Sequence, residues 1–332
     1  MTIRVGLVGT GYVSKVRAET LLADGRSHLS TVAGREKSRT AEFASRYGLT
    51  ATESWQHLVQ DSAIDLVVVA TVSSLHGDVV EAALRAGKHV VVEYPLSLNV
   101  EQAKRLLALS VQSGLLLHVE HVELLGGLHR EMRSHLSQVG TPSYVNYRTI
   151  MPKHPAPMKW TYRSDLFGFP FCGALSRVHR LTNLFGQVSA VDCWAKTWER
   201  AAYPPFYSSI LCSARLHFES GLTADLTYAK GEQFWQARRD MEVQGSLGAL
   251  TFVGNEGVLA TAGGLQQVKA APRKSLLKAD TQEVLAYLTN GEPMYVKAAE
   301  SVYALAVGDA LRQSSEQGRS VVLDGFSLDG DP

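Results

Sequence analysis

Two glycines near the start of the chain have the spacing of a phosphate-binding loop. The apolar stretch IRVGLV leads directly into Gly9 and Gly11, followed by Ser14 where the dinucleotide fingerprint usually has a third glycine. The first glycine permits a tight turn, and the second lets the backbone approach a pyrophosphate. A following helix would direct its N-terminal amides at that group. An ordinary strand-to-helix turn remains the alternative to a cofactor loop made of Gly9, Thr10, Gly11, Tyr12 and Val13.

The next apolar stretch ends with basic residues where proteins that bind NAD usually carry an acid. Arg35 follows Gly34 directly, and Lys37 and Arg39 add positive charge. A guanidinium group suits the 2′-phosphate of NADPH, whereas an acid would bind the ribose hydroxyls of NADH. We therefore expect Gly34 and Arg35 to contact NADPH, and NADH to bind more weakly. The acid Glu36 leaves a solvated charged loop as the alternative.

An acid and a phenol stand where another buried stretch ends. The segment KHVVVEYPL places Glu93 and Tyr94 at that point. The ligand of a doubly wound sheet lies beyond the carboxyl ends of its strands. We expect Glu93 and Tyr94 to act in catalysis and to contact the cofactor. We also expect Thr71, Ser73 and His76 to contact the cofactor, and Glu120 and His121 to lie at a further strand end of the same edge.

Aromatic and basic residues are mixed in the segment from 159 to 186, KWTYRSDLFGFPFCGALSRVHRLTNLFG. Arg177 and Arg180 are three residues apart, which places them on one face of a helix. Aromatic surface beside guanidinium groups suits a flat, apolar ligand that carries carboxylates. An aromatic core with surface arginines is the alternative. The candidate substrate residues are Arg177, Arg180, His121, Trp160 and Phe169.

Histidines and acids also cluster in HVEHVELLGGLH, but their spacing does not predict a metal site. His118 and His121 fall on a predicted strand, so their side chains point to opposite faces. They do not form the helical pair of histidines found in metalloproteases. We expect no metal, and we expect Glu120 and His121 to orient cofactor or substrate.

The order of predicted elements positions these residues. Up to about residue 122, apolar strands alternate with helices, which indicates a doubly wound parallel sheet of the Rossmann type. Asn99 is the predicted N-cap of one helix, with Gln102 at capping-box spacing, and Gly48 closes another. We expect this cofactor domain to span residues 1–122.

The pattern changes in the rest of the chain. A series of strand-like segments is separated by turns such as Ser220-Gly221 and Asn255-Glu256-Gly257, and two amphipathic helices follow. These features predict an α+β domain over residues 123–332, with a mostly antiparallel sheet and helices on one face. It would bind the substrate.

Composition excludes several classes of function. The chain has 332 residues, and its net charge of +1 does not favour nucleic acid or an anionic membrane as partner. No apolar run is long enough to span a bilayer, and we expect no signal peptide because the first residues enter a predicted strand. Three widely spaced cysteines fit neither a disulfide framework nor a zinc site. We expect a cytoplasmic protein, either a monomer or a weak homo-oligomer.

These features together resemble the glucose–fructose oxidoreductase and inositol dehydrogenase family. The strings GLVGTGYVS and ATVSSLHGDVVEAALRAGKHVVVEYPL carry the resemblance, as does the domain order. That family usually has Glu-Lys-Pro at the strand end, where the lysine assists proton transfer at a sugar hydroxyl. Tyr94 replaces that lysine here, which disfavours a polyol dehydrogenase.

Within that family, longer strings resemble the biliverdin reductases of the cyanobacterial type. They include VEYPLSL, LLHVEHVELLGG, KWTY, FGFP and ALSRVHRLTNLFG. The resemblance implies reduction of biliverdin by NADPH at its C10 methine bridge, giving bilirubin. It points to Arg177 as the residue that matters most for activity, by binding a propionate or by steering the proton. A guanidinium group remains charged, with a pKa above about 12, so we expect Arg177 to bind a propionate and not to donate the proton.

Two alternatives remain open from the sequence. One is an NADP-dependent dehydrogenase of a sugar or cyclitol, which Tyr94 and the aromatic 159–171 segment disfavour. The other is a regulator that binds NADP without turnover, because an intact glycine loop without the usual lysine would also suit a sensor.

Overall fold

A computed structural model describes residues 2–323 of the chain. The described strands are β1 (Ile3–Val8), β2 (Ser27–Ala33), β3 (Thr50–Ala51), β4 (Leu66–Val69), β5 (His89–Glu93), β6 (Leu117–Glu120), β7 (Pro142–Pro152), β8 (Val188–Glu199), β9 (Tyr207–Phe218), β10 (Thr223–Gly231), β11 (Arg238–Gly245), β12 (Gly248–Val253), β13 (Glu256–Thr261), β14 (Gly264–Lys269) and β15 (Val321–Val322). The described α-helices are α1 (Tyr12–Ala23), α2 (Lys37–Tyr47), α3 (Trp55–Gln60), α4 (Ser73–Arg85), α5 (Val100–Ser113), α6 (Gly127–Val139), α7 (Ser164–Phe167), α8 (Pro170–Gly173), α9 (Ser176–Phe185), α10 (Leu276–Asn290) and α11 (Ala298–Gln317). A short 3-10 helix covers Trp160–Tyr162.

The chain divides into two compact units. Among the described residues, the first unit comprises those up to Val122 together with Lys274–Val302, and the second comprises Glu123–Arg273 together with residues 303–323. The segment 274–302, which the sequence assigned to the substrate domain, therefore packs with the cofactor domain. The hydrophobic core explains this, because Val284 and Leu285 of α10 are buried in one cluster with Leu21 of α1 and the strand residue Val68.

The sheet of the first unit is parallel and has the strand order β3-β2-β1-β4-β5-β6. This is the Rossmann order. Successive strands are added on one side of β1 up to β3 and on the other side from β4 onwards, and such sheets bind their ligands at this switch point between β1 and β4. The middle strands are apolar throughout because helices cover both faces; all four residues of β4 are buried. The parallel sheet predicted from the sequence is thereby confirmed.

Two predicted helix ends are present, one of them with an incomplete capping box. The side chain of Asn99 accepts a hydrogen bond from the Gln102 amide at 2.9 Å and so caps α5. The Gln102 side chain turns instead to Ser97 and Asp78, so the capping box is only half formed. Gly48 follows α2 with φ 68°, a left-handed conformation that glycine adopts without strain.

The second unit is built on a mixed sheet. Within the described residues its strand order is β14-β13-β12-β11-β7-β10-β9-β8-β15. Only the pairing of β7 with β10 is parallel among the described strand pairs of this sheet, so the sheet is mostly antiparallel as predicted. The predicted turn at Gly221 links β9 to β10. Helix α9 carries Arg177 and Arg180, and both arginines contact tyrosines of this sheet.

Candidate functional site

The glycine loop of the first unit has the backbone geometry of a phosphate cradle. The Gly9 amide donates to the carbonyl of Ala33 at 2.8 Å, and its φ of 126° is one that favours glycine. A side chain at Gly9 would collide with the carbonyl group of Ala70. Gly11 precedes α1 in an extended conformation and has no side-chain cap, so the first-turn amides of α1 keep their capacity to donate. The predicted loop residues Thr10, Tyr12 and Val13 lie at this turn.

A cavity of about 300 Å³ opens beside this loop. Its basic residues are Lys15, Arg39 and Arg46, and Glu42 is its one acid. This excess of positive charge suits a phosphate group. The lining consists of Thr10, Gly11, Tyr12, Lys15, Arg39, Glu42, Phe43, Arg46 and Tyr47.

The structure places Arg35 outside the lining of this cavity. Its side chain is 73% exposed, and its guanidinium group lies 3.6 Å from the carboxylate of Glu36. Gly34 has a packing role, because a side chain there would collide with Thr40 and Thr10. Arg39, the last basic residue of the cluster that the sequence places after β2, lines the cavity instead.

A buried histidine fixes the loops that follow β4 and β5. His76 of α4 is 1% exposed; its Nδ1 lies 2.8 Å from the carbonyl of Pro95 and its Nε2 lies 3.3 Å from that of Thr71. Burial lowers the pKa of His76, which keeps the ring neutral at pH 7. His76 therefore links the loop after β4, at Thr71, to the loop after β5, at Pro95. The predicted contacts Ser73 and Tyr94 lie next to these two points.

Two carboxyl groups meet at the ends of β5 and β6, where Glu93 lies opposite Glu120. Burial raises the pKa of Glu120 well above its ordinary value, and the neighbouring Glu93 and Asp280 raise it further. A hydrogen bond between the Glu120 and Glu93 side chains acts in the same direction, because it favours the protonated form of Glu120. The guanidinium group of Arg17 donates two hydrogen bonds to one carboxyl oxygen of Glu93, at 2.8 and 3.0 Å.

Arg17 belongs to a buried network that the sequence did not reveal. Its guanidinium group also donates to Asp280 at 2.7 Å, and His118 Nε2 lies 2.7 Å from the other oxygen of that carboxylate. Burial opposes the charge on Asp280, but Arg17 and His118 lower its pKa below the ordinary value. The Tyr295 hydroxyl donates to Asp280 at 2.8 Å. This network fixes the position of Glu93 from behind.

Tyr94 stacks on His121, with ring centroids 5.2 Å apart and planes at 9°. His121 is itself held by the hydroxyl of Ser301 at 2.8 Å. The strand end therefore presents a fixed aromatic ring and a carboxylate. Within the part of the chain that the structure describes, no group of three or more histidine, cysteine, aspartate or glutamate side chains could hold a metal ion.

The second unit contains a larger cavity of about 570 Å³. Five basic side chains and one acid, Glu123, line it, together with apolar residues of β7. Such a surface favours a ligand that carries more than one negative charge. The lining consists of Glu123, Tyr147, Thr149, Ile150, Met151, Pro152, Lys153, Ser176, Arg177, Ala237, Arg238, Arg239, Val253, Gly254 and Arg273.

The two arginines of α9 have different environments. Arg177 lines the cavity, and its guanidinium carbon lies 4.9 Å from the ring centroid of Tyr228. Arg180 is 1% exposed, bonds to the hydroxyl of Tyr147 and pairs with Glu123 at 2.9 Å. Burial opposes ionisation of Tyr147, yet Arg180 and Arg177 lower its pKa. Arg180 thus organises the cavity wall, whereas Arg177 faces its interior.

The two aromatic residues predicted to bind substrate lie outside the cavity lining. Trp160 packs against Phe167 with ring centroids 6.0 Å apart, and Phe169 packs edge-on against Phe171 at 6.2 Å. The basic cavity residues that sequence reasoning missed are Lys153, Arg238, Arg239 and Arg273. The adjacent arginines Arg238 and Arg239 were the one feature of the sequence that could have indicated them.

Among the described residues, no helix has the length and hydropathy needed to cross a membrane.

Comparison with known proteins identifies the family. Residues 3–121 match a family described as an oxidoreductase family with an NAD-binding Rossmann fold, and residues 135–323 match its C-terminal alpha/beta domain. The crystal structure of biliverdin reductase from Synechocystis sp., in complex with biliverdin and NADP+, is 44% identical to this chain. That match covers 95% of this chain and 99% of the other, with a TM-score of 0.92.

Two curated relatives match over shorter segments. Biliverdin reductase A of Mus musculus is 30% identical over 197 residues, which is 57% of this chain and 60% of that protein. A dTDP-3,4-didehydro-2,6-dideoxy-alpha-D-glucose 3-reductase of Actinomadura kijaniata is 32% identical over 170 residues, or 50% and 51%. The chain thus spans about half of the length of these relatives. Because the two family models together match most of its residues, the chain belongs to the Gfo/Idh/MocA family of oxidoreductases.

Proposed function

We propose that this protein reduces biliverdin to bilirubin with NADPH, adding a hydride to the C10 methine carbon. The observation that carries the proposal is the 44% identity, over 95% of the chain, with a protein whose crystal structure holds biliverdin and NADP+. The basic cavity of the second unit and the tyrosine at the end of β5 support it independently.

The first unit supplies residues suited to NADPH. The amides at Gly9, Gly11 and the start of α1 would bind the pyrophosphate, and Arg39 with Arg46 would bind the 2′-phosphate. NADPH supplies the hydride when bound. NADH lacks the phosphate that the basic cavity would bind, so we expect it to serve more weakly.

The second unit supplies residues suited to the two propionates of biliverdin. Arg177 is the proposed main contact, because it faces the cavity while Arg180 is engaged by Glu123 and Tyr147. The remaining basic residues of the lining provide counter-charge for the second propionate. Apolar residues of β7, such as Ile150 and Met151, would contact the pyrrole rings.

Tyr94 fits this reaction better than it fits alcohol oxidation. Hydride addition to a conjugated methine requires one proton at a pyrrole nitrogen, and no base is needed to deprotonate a hydroxyl. The ring of Tyr94, stacked on His121, gives a flat surface for nicotinamide or bilin, and the buried Arg17 network holds the neighbouring Glu93 in place. The tyrosine therefore disfavours a sugar or cyclitol dehydrogenase, which would need a base at the substrate hydroxyl.

Isotope transfer tests the proposed chemistry directly. The full-length protein is incubated with biliverdin and NADPH that carries deuterium at nicotinamide C4 on the transferred side. We expect bilirubin with one deuterium at C10, detected by mass spectrometry and NMR. Bilirubin labelled elsewhere, or a protein that binds NADPH but leaves biliverdin unchanged, would contradict the proposal; the second result would favour a cofactor sensor.

We also propose a cytoplasmic location and a monomeric or weakly associated state. Cys172, Cys193 and Cys212 are all free thiols in the structure, which is compatible with a reducing compartment. Analytical ultracentrifugation at several concentrations tests the oligomeric state, and a single species larger than the monomer at every concentration would contradict it.

A further inference from the structure

A lysine in the second unit is buried within a cage of aromatic rings. Lys230 lies near the end of β10, is 4% exposed, and donates through Nζ to the carbonyl of Thr161 at 2.5 Å. Its Nζ lies 4.0, 4.6, 5.4 and 6.0 Å from the ring centroids of Phe167, Tyr162, Tyr207 and Tyr228, respectively. The cage retains the ammonium group by cation–π contacts but supplies no negative charge.

The titratable groups around Lys230 come from four elements. The 3-10 helix contributes Tyr162, β9 contributes Tyr207 and β10 contributes Tyr228; burial raises the pKa of both Tyr162 and Tyr207, so these two phenols remain neutral. Helix α9 contributes the charged Arg177. Glu232, two residues along the chain from Lys230, pairs with Arg200 at 2.9 Å.

Burial lowers the pKa of Lys230 to about 7, and the neighbouring charge of Arg177 contributes to the shift. Lys230 therefore divides between its charged and neutral forms at physiological pH. A change in the charge near Arg177 shifts this balance.

Arg177 connects Lys230 to the cavity. Its guanidinium group lies 4.9 Å from the ring centroid of Tyr228, the same ring that lies 6.0 Å from Lys230 Nζ. Arg177 lines the 570 Å³ cavity, whereas Lys230 is not part of the lining. A carboxylate bound to Arg177 would offset the positive charge that opposes protonation of Lys230.

We propose that Lys230 is a positioning residue that takes up a proton when a carboxylate ligand binds to Arg177. The step forms one N–H bond with a proton from solvent and involves no redox change. The resulting ammonium group adds a second positive charge behind Arg177 and strengthens the hold on the anion. The inference rests on the proposed function, because it takes a propionate of the bilin as the ligand.

The sign of the pH dependence follows from linkage. Carboxylate binding raises the pKa of Lys230 above its value in the free protein. The affinity for the ligand is therefore highest below about pH 7 and falls as pH rises towards the pKa of Lys230 in the ligand-bound protein. The dissociation constant can change by at most tenfold for each pH unit in this window. We expect it to rise about tenfold between pH 7 and pH 8.5.

The test uses the full-length protein with NADP+, so that binding occurs without reduction. Biliverdin binding is measured by absorbance titration from pH 6.5 to pH 8.5, and calorimetry in phosphate and Tris at pH 8 counts the protons taken up. Biliverdin dimethyl ester serves as the probe without carboxylates. The variant is Lys230→Met; Lys196→Met, which removes an exposed lysine stacked on Trp198, is the matched control.

We expect the unaltered protein and Lys196→Met to take up most of one proton with biliverdin and none with the ester. Lys230→Met should bind biliverdin with an affinity that does not change with pH and without proton uptake. The same pH dependence in Lys230→Met, or equal uptake with biliverdin and its ester, would overturn the inference and leave the proposed function standing. No biliverdin binding even at pH 6.5 would contradict the proposed function and this inference with it. If Lys230→Met does not fold, the comparison of the two ligands on the unaltered protein decides.

Discussion

Replacing Arg177 with glutamine removes the positive charge that faces the cavity of the second unit. Arg177 is partly buried on α9 and rests on Tyr228, while Arg180 behind it pairs with Glu123. The substitution therefore leaves the wall of the cavity in place. Loss of the cation–π contact should cost only about 0.5–1 kcal/mol of folding free energy.

The effect on activity should be larger than the effect on stability. A hydrogen bond between charged groups contributes about 1.5–3 kcal/mol, which corresponds to a decrease of about tenfold to 150-fold in kcat/KM. Four other basic residues line the cavity and compensate in part, so we expect the lower half of this range. Most of the loss should be in KM, because the guanidinium group binds the propionate similarly before and during hydride transfer.

The assay is steady-state formation of bilirubin, with NADPH binding measured separately by fluorescence. Arg148→Gln is the matched control, because Arg148 pairs with Asp240 at 2.7 Å and alternation along β7 directs it away from Tyr147. Unchanged kcat/KM in Arg177→Gln, or an equal loss in Arg148→Gln, would refute the assignment of Arg177 as the substrate contact.

Three further predictions concern the first unit. Arg39→Ala combined with Arg46→Ala should lower kcat/KM for NADPH by about tenfold and leave that for NADH unchanged, since only NADPH carries the 2′-phosphate; an equal loss with both cofactors would contradict this role. Glu120→Gln should become more stable relative to the unaltered protein as pH rises from 5 to 8, as measured by thermal unfolding. The raised pKa of Glu120 means that its contribution to stability is complete only below its unfolded pKa of about 4.3 and is lost as pH rises. A stability difference between the two proteins that does not change with pH would exclude a raised pKa for Glu120. Asp280→Asn should cost about 3–5 kcal/mol in urea unfolding, because it leaves the buried Arg17 with one carboxylate fewer; a cost below about 1 kcal/mol would show that Asp280 does not balance this charge.

The fold of the first 122 residues was predictable because its signals are local. Continuous apolar runs indicate strands covered on both faces, and Asn99 and Gly48 mark helix ends through their own chemistry. The return of residues 274–302 to this unit could not be read from the sequence. It depends on pairings such as Arg17 with Asp280, which are 263 residues apart in the chain.

The candidate sites were predictable only in part. Helical spacing placed Arg177 and Arg180 on one face, but it carries no information about depth, and the structure buries Arg180 against Tyr147. Arg35 was identified by its position after a strand, although the side chain turns towards Glu36. Lys230 reads as an ordinary strand residue, because its aromatic cage is assembled from segments distant in the sequence.

The most direct test of the account is an absorbance scan of the purified protein with biliverdin, with NADPH and NADH added in parallel. We predict loss of the blue-green biliverdin band and growth of the yellow bilirubin band, faster with NADPH. An unchanged biliverdin spectrum with both cofactors, from a protein that still binds NADPH, would contradict the central claim.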